Sequence, residues 1–166
     1  DLTAVTLSYS WSINGLPVGT GATLSLNTAV FEDIVECVAT ATDADGGTAT
    51  GSASLSLDNT PPILTQVSIT PSSPDTQTSL LTCAASGSDI DGQALSYGYT
   101  WLVNGQVQSS TSDSLTGPFS VSDTVTCQVT PSDGIDSGSS LDASVTIANP
   151  PPTASNLSLS PTQAFT

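Results

Sequence analysis

The chain has 166 residues, 15 of them acidic, and contains no lysine, arginine or histidine, so its formal net charge is −15 at neutral pH. Nucleic acids and anionic membranes need basic side chains to neutralise phosphate, so this composition excludes both as partners. No stretch approaches the roughly 20 apolar residues of a membrane-spanning helix, which argues against direct membrane insertion. The apolar share of 37%, with regularly placed aromatic and β-branched residues, indicates a folded chain.

The sequence repeats with a period of 90 residues, which is its strongest signal. The repeat predicts a partial unit at residues 1–60, a complete unit at residues 61–150 and the start of a further unit at residues 151–166. A shift of 90 residues, without a gap, superposes Trp11 on Trp101, Asn14-Gly15 on Asn104-Gly105, Asp33 on Asp123, Cys37 on Cys127 and Asn59 on Asn149.

Each unit is predicted to be all-β. The tryptophan strand of each unit is followed by Asn-Gly, which favours a type I′ hairpin because that turn needs positive φ at both central residues. No segment sustains a 3.6-residue period. Short strands with turn residues every 8–12 positions are typical of a β-sandwich. Within the complete unit the predicted strands are SLLTCAAS (79–86), LSYGYTWLV (95–103), DTVTCQVT (123–130) and DASVTIAN (142–149).

The order of Cys83, Trp101 and Cys127 matches the Cys…Trp…Cys pattern of strands B, C and F in immunoglobulin-like domains. Together with SDIDGQ, PSDG and the proline-rich linkers DNTPP and ANPPP, the chain resembles the immunoglobulin-like tandem repeats of large secreted bacterial surface proteins, familiar from myxobacteria. The resemblance covers the whole chain. It implies tandem immunoglobulin-like β-sandwiches, with strands C to G in residues 1–60 and strand A of the next repeat in residues 151–166.

The resemblance also implies how the three cysteines pair. It predicts a disulfide between Cys83 and Cys127 that joins the two sheets of the complete unit. Cys37 corresponds to Cys127, so its partner would precede Asp1, outside the chain. The alternative is that Cys83 and Cys127 are buried free thiols. Bridged small all-β units are typical of oxidising compartments, so we expect an extracellular or cell-surface location.

The acidic residues concentrate in two loops of each unit. In the complete unit Asp89 and Asp91 belong to DIDG, and Asp133 and Asp136 belong to PSDGIDSG. The first aspartate of each loop lies six residues after the cysteine of its strand. Because strands B and F run in the same direction in such a sandwich, both loops are expected to reach the end of the unit where the linker enters.

Converging carboxylates on glycine-containing loops suit Ca²⁺, which takes six to eight oxygen ligands. The placement is similar to that of junction Ca²⁺ in cadherin-like repeats, although the ligand motifs differ. The alternative is turn chemistry, since Asp-Gly forms turns by itself, and DxDG lacks the closing glutamate of an EF-hand. The predicted Ca²⁺ ligands are Asp89, Asp91, Asp133, Asp136, Asp58 and Asn59, with Asp1, Asp43 and Asp45 as the corresponding acids of the first unit.

The residues favour a structural role over catalysis. Histidine and lysine are absent, no serine has a base to activate it, and the carboxylates recur at a linker, so we predict no enzyme activity and no catalytic residue. The predicted function is a spacer that extends an extracellular fibre or rod-like surface protein. Its partners would be neighbouring repeats of the same chain or identical chains in a filament. The alternative is an adhesin or carbohydrate-binding accessory module of a secreted protein.

Overall fold

The structure is a computed structural model that describes residues 4–153, and these residues form β-strands and loops without a helix. Nothing in the described range could cross a membrane as a helix. The strands are β1 (Thr6–Ile13), β2 (Leu16–Thr20), β3 (Ile34–Thr42), β4 (Thr48–Ser56), β5 (Ile63–Thr70), β6 (Leu80–Ser88), β7 (Ser96–Val103), β8 (Gln106–Val107), β9 (Ser114–Thr116), β10 (Thr124–Ser132) and β11 (Leu141–Thr146).

The chain divides into two compact units. The first comprises Asp1–Gln66, Ser86–Gly98 and Thr130–Ser140, and the second comprises Val67–Ala85, Tyr99–Val129 and Leu141–Thr166. The two acidic loops of residues 61–150 therefore belong to the same compact unit as the linker at residues 57–62. This grouping brings the predicted site residues of the linker and of both loops together.

Strands β1 to β4 form one antiparallel sheet, in the order β2-β1-β3-β4. Trp11 pairs with Cys37, which pairs in turn with Ala53, so these three side chains lie on one face. The strands alternate between apolar residues on this face and mainly serine and threonine on the other. We call the first the apolar face of the first sheet. It carries Leu7, Tyr9, Trp11, Ile13, Val35, Cys37, Ala39, Ala41, Ala49, Ala53 and Leu55.

Both Asn-Gly turns have the predicted backbone conformation. Asn14 and Gly15 have φ of 51° and 77°, and Asn104 and Gly105 have φ of 50° and 78°. Positive φ at both central residues is the signature of a type I′ turn, which asparagine and glycine adopt at little cost. The turns join β1 to β2 and β7 to β8.

The predicted immunoglobulin-like sandwich is present between residues 63 and 146. One sheet has the order β11-β10-β7-β8 and the other β5-β6-β9. The predicted disulfide joins them, from Cys83 on β6 to Cys127 on β10, with 6.4 Å between the Cα atoms. Trp101, Leu81 and Val125 are fully buried beside it. The cysteines and the tryptophan thus occupy the B, F and C strands that the sequence pattern predicts.

An asparagine and an aspartate make the same contacts twice, 90 residues apart. Asn14 Nδ2 donates to Asp33 Oδ1 at 2.6 Å, and Asn104 Nδ2 donates to Asp123 Oδ1 at 2.8 Å. In both pairs the asparagine Oδ1 accepts the backbone N–H of the residue after the aspartate. The pKa of Asp123 is lowered by the backbone N–H of Ser120 and then by the Asn104 amide. Equal spacing in the sequence therefore produces equal local structure.

Reduction of the Cys83–Cys127 disulfide is expected to lower the free energy of unfolding by about 4 kcal/mol. The bridge spans 44 residues, and breaking it restores chain entropy to the unfolded state. Urea unfolding followed by tryptophan fluorescence, with and without reductant, measures the loss in a Cys37→Ser background where only the bridge changes. An unchanged midpoint, or mapping of Cys83 and Cys127 as separate free thiols, would contradict the bridge. Mapping requires a protease other than trypsin, which has no Lys or Arg to cut.

Candidate functional site

The side chain of Asn59 is the centre of a polar cluster at the linker. Its Nδ2 donates to Asp133 Oδ2 at 2.9 Å and to Asp136 Oδ2 at 2.8 Å. Its Oδ1 accepts from Gln93 Nε2 at 2.7 Å. One amide thus contacts both acidic loops. We call Asn59, Gln93, Asp133 and Asp136 the Asn59 cluster.

The linker backbone is held by the same loops. The N–H of Thr60 donates to Asp91 Oδ2 at 2.8 Å, and the next two residues are prolines, which have no N–H to donate. The carboxylate of the DIDG loop therefore satisfies the last free linker donor before β5. The side chain of Asp91 from a loop and the side chain of Asn59 from the linker together attach the linker to the two loops.

Two glycines permit this close approach of linker and loops. A Cβ placed on Gly138 would collide with the carbonyl oxygen of Pro62, and one on Gly87 would collide with the carbonyl oxygen of Ile63. Pro62 itself is buried. Neither position offers room for a side chain, because the obstacle is backbone that cannot rotate away. The glycines therefore set the distance between the start of β5 and the adjacent loop and strand.

The remaining contacts of these acids are turn contacts. Asp89 Oδ1 accepts the N–H of Asp91 at 2.7 Å. Asp133 Oδ1 accepts the N–H groups of Ile135 and Asp136, each at 2.7 Å. Such side-chain-to-backbone bonds close a loop without any ion. The turn chemistry that the sequence left open is thus present in both loops.

The turn between β3 and β4 repeats this chemistry in the first sheet. Asp43 Oδ1 accepts the N–H of Asp45 at 3.0 Å and of Gly47 at 2.7 Å. Gly46 has φ of 85°, which favours glycine. Asp43 and Asp45 are therefore brought together, but they do not join the Asn59 cluster in any described contact.

The predicted Ca²⁺ ligands are only partly assembled. Asn59, Asp91, Asp133 and Asp136 meet at the linker, whereas Asp58 is exposed and Asp89 serves its own turn. Asp1 lies outside the described residues. Across residues 4–153, no three acidic or cysteine side chains are grouped closely enough to hold a metal ion. The amide nitrogen of Asn59 instead donates to both carboxylates.

Gln93 is a member of the cluster that the sequence did not identify. It is uncharged, and the equivalent position of the first unit is Thr3, so neither charge nor repetition marks it. Only the hydrogen bond to Asn59 identifies its role. Gln93 Oε1 and Asp89 Oδ2 are buried acceptors without a hydrogen-bond partner in the described part of the chain. Buried acceptors of this kind cost free energy until a water or a cation satisfies them.

The electrostatics of the cluster follow from the absence of basic residues. The amide of Asn59 holds the pKa of Asp133 below its usual range, an effect that burial opposes and that the backbone N–H groups of Asp136 and Ile135 reinforce. Because no lysine, arginine or histidine exists in the chain, these charges are stabilised by neutral hydrogen-bond donors, here the Asn59 amide and backbone N–H groups.

Cys37 is a free thiol on β3, and it is half-buried. It lies directly opposite Trp11 in the register of β1 and β3. Its counterpart Cys127 is bonded to Cys83. The described residues before the linker thus carry a tryptophan and a cysteine on neighbouring strands without the disulfide that Cys127 makes.

Known proteins show little likeness to this chain. No protein-family model matches the chain. No curated protein matches it either. A solved structure described as "Structures of Clostridium thermocellum CbhA fibronectin(III)-like modules" is similar at 15% identity with a TM-score of 0.34, covering 90% of this chain and 81% of that one. A likeness at this level carries no conclusion about this chain.

Replacement of Asn59 by alanine is expected to raise the pKa of Asp133 toward its usual range. The amide contact is the largest cause of the depressed value. A depressed carboxyl pKa stabilises the folded state above the ordinary value of about 3.9, and that stabilisation is lost as pH falls through the lower folded-state pKa. As the pH falls from the ordinary carboxyl pKa through the lower folded-state pKa, the free energy of unfolding should therefore decrease less in Asn59→Ala than in the wild type.

The pKa is measured by carbon-detected NMR titration of the Asp133 carboxyl group. Asn149→Ala is the matched control, because Asn149 occupies the equivalent linker position 90 residues later, whereas the amide that bonds Asp133 is that of Asn59. It should leave the Asp133 pKa unchanged. An unchanged pKa in Asn59→Ala would show that the amide does not stabilise this carboxylate.

Ca²⁺ binding at the linker remains our prediction. Binding requires the Asn59 amide to turn its oxygen toward Asp133 and Asp136, a rotation that conserves the shape of the side chain. For a dissociation constant of about 1 mM, typical of extracellular modules, 10 mM Ca²⁺ would add about 1.4 kcal/mol to the free energy of unfolding. Calorimetric titration and thermal unfolding measure this, with an Asp133→Asn, Asp136→Asn variant as control. If millimolar Ca²⁺ produced no heat and no change in melting temperature, the acidic loops would be explained by their turn hydrogen bonds without any Ca²⁺.

Proposed function

We propose that the chain is a structural module of an extracellular fibre or rod-like surface protein, in which tandem immunoglobulin-like repeats act as a spacer. The observation that carries this proposal is the Asn59 cluster. A linker that only joined two domains would need no side-chain contacts. This linker is bound to both adjacent loops through Asn59 and Thr60.

The linker contacts support stiffness at the junction. Bending at Asn59 would break three side-chain hydrogen bonds, two of them to carboxylates, and hydrogen bonds to charged groups are stronger than neutral ones. Pro61 and Pro62 fix φ at the next two positions. Gly138 lets Pro62 approach so closely that sliding of the linker is sterically limited. Stiff junctions let repeats follow one another in line, each adding about 40 Å at strand rise.

The composition supports an extracellular setting. The Cys83–Cys127 disulfide is typical of oxidising compartments. Without Lys or Arg, the chain offers trypsin-like proteases no cleavage site. The high negative charge would keep neighbouring filaments apart, because like-charged surfaces repel over about 8 Å at physiological salt.

The contacts of the acidic residues also support a role without catalysis. The carboxylates at the linker already accept turn and linker N–H groups. A general base instead needs a carboxylate that is available to a substrate proton. We therefore propose a mechanical role and assign no reaction to these residues.

Electron microscopy of the native material tests the proposal. We expect thin filaments with an axial repeat near one unit, about 40 Å, or a small multiple of it. Compact particles, or full-length chains in which two repeats stand beside a catalytic domain, would contradict the fibre and favour the accessory-module alternative.

Small-angle X-ray scattering tests the stiffness of the linker. Asn59→Ala should broaden the distribution of interatomic distances, because the linker loses its contacts with both loops. Asn149→Ala should not, since it alters the corresponding residue after the complete unit. Equal distance distributions for the wild type and Asn59→Ala would show that the Asn59 cluster does not stiffen the chain.

A further inference from the structure

Strand β4 is the last strand of its sheet, and its outer edge is open. In the order β2-β1-β3-β4 it has β3 on one side and no described strand on the other. All nine of its residues, Thr48–Ser56, are exposed. An open edge presents unpaired backbone N–H and C=O groups, and these groups are a template on which another strand can pair.

The backbone groups at this edge belong to the hydroxyl residues of β4. Near the two ends of the strand, the N–H of Leu57 donates to the carbonyl of Asp33 and the N–H of Asp43 donates to the carbonyl of Gly47, each at 2.9 Å. The direction of bonding alternates along an antiparallel strand, so the odd-numbered residues of β4 bond to β3. The even-numbered residues therefore direct their N–H and C=O groups outward, and they are Thr48, Thr50, Ser52, Ser54 and Ser56.

Strand β4 lacks the features by which edge strands usually resist pairing, which are charged side chains, prolines and bulges. The other edge strand of the same sheet, β2, contains Pro17 and pairs with β1 through a shift of register. The edge strand β11, which corresponds to β4 90 residues later, carries Asp142 where β4 has Ser52. In contrast, β4 contains no charge and no proline, and its nine pairs with β3 keep one register.

The side chains of β4 are arranged symmetrically about Ser52, its central residue. Hydroxyl residues occupy every even position of the strand, and alanine, glycine or leucine occupies every odd one. When a second copy of β4 lies antiparallel with Ser52 opposite Ser52, Thr50 lies opposite Ser54 of the second copy and Thr48 opposite Ser56. In this register each outward backbone group meets an outward group, and each hydroxyl side chain meets a hydroxyl side chain.

We propose that β4 is an interaction surface for a second copy of this chain, and that the two β4 strands pair antiparallel about Ser52. The pairing joins two four-stranded sheets into one continuous sheet. Each hydrogen-bonded pair of residues exchanges two backbone hydrogen bonds, so the outward residues supply about ten. Main-chain bonds of this kind provide the affinity when a strand is added to a sheet edge. The pairing does not depend on the mechanical role of the protein.

The distribution of charge distinguishes a second copy from a basic partner. The nearest acids lie beyond the ends of β4, with Asp43 and Asp45 before it and Asp58 after it. In the antiparallel pair, Asp45 of each copy lies near Asp58 of the other, so the ends of the two strands repel. Salt screens this repulsion, because the screening length falls from about 8 Å at physiological salt to about 3 Å at 1 M. Pairing of two copies should therefore strengthen with salt, whereas binding of a basic partner would weaken.

Sedimentation velocity of the whole chain tests the pairing, in a Cys37→Ser background that has no free thiol. We expect a monomer–dimer equilibrium whose dissociation constant falls when salt is raised to about 1 M. Ser52→Asp should raise the dissociation constant about tenfold or more, because two like charges would stand directly opposite each other. The control Ser109→Asp adds the same charge at an exposed loop residue and should leave the constant nearly unchanged.

A cysteine at the centre of symmetry tests the register. Opposite residues of a hydrogen-bonded pair have Cα atoms about 5.5 Å apart, which is within the range of a disulfide. In the Cys37→Ser background, Ser52→Cys should therefore give a disulfide-linked dimer on mild oxidation. Thr50→Cys alone should not, because its two copies would lie about 14 Å apart, four residues along the strands. A mixture of Thr50→Cys and Ser54→Cys chains should form the linked heterodimer.

Three results would overturn the inference. A chain that stays monomeric at millimolar concentration in about 1 M salt does not use β4 for pairing. A dimer that Ser52→Asp leaves as tight as the wild type uses another surface. A dimer in which acrylamide no longer quenches Trp11 pairs through the apolar face of the first sheet, since Trp101 is already buried. None of these results bears on the stiffness of the linker, which the Asn59→Ala comparison measures separately.

Discussion

The hydrogen bonds of the Asn59 amide to two carboxylates are the interaction on which the candidate site depends. In a chain with no basic side chain, two acidic loops that face one linker would repel each other. The amide N–H group of Asn59 is the dipole that lets Asp133 and Asp136 lie within hydrogen-bond distance of one atom. Gln93 fixes the orientation of that amide from the other side. The order of the linker, the lowered pKa of Asp133 and the proposed stiffness all follow from this contact.

The same arrangement explains why the residue types alone do not distinguish a Ca²⁺ site from a site in which an asparagine amide joins two carboxylates. Both need carboxylates on glycine-containing loops and an oxygen or nitrogen from the linker. Asp89 and Asp133 each use one carboxylate oxygen to accept a backbone N–H of their own turn, and this bond holds the shape of the loop. The second oxygens remain for a neighbouring group. Asn59 fills that place for Asp133, whereas Asp89 Oδ2 is buried without a partner in the described residues.

The two copies of the repeat separate local from tertiary causes in one molecule. The hairpin turns and the Asn–Asp contacts recur with nearly equal angles and distances, because each is decided by residues close in sequence or on adjacent strands. Burial does not recur. Trp101 is fully buried and Trp11 is not, although each lies on a strand next to the strand that carries the cysteine of its copy. Hydrophobic stabilisation therefore differs between two copies of the same pattern, since it depends on a second layer.

The sequence by itself predicted the all-β class, four of the strands of residues 61–150 and the type I′ turns, and its resemblance to immunoglobulin-like repeats predicted the pairing of Cys83 with Cys127. These follow from side-chain alternation, from asparagine and glycine tolerating positive φ, and from the Cys…Trp…Cys order. It also brought Asp91, Asp133, Asp136 and Asn59 to one end of the unit. Only the tertiary structure decided how they meet. An uncharged Gln93 contributes a contact that no pattern marks, and Gly138 matters only because Pro62 lies against it. The exposure of Trp11 likewise depends on a second layer of strands, which the residues of its own strand do not specify.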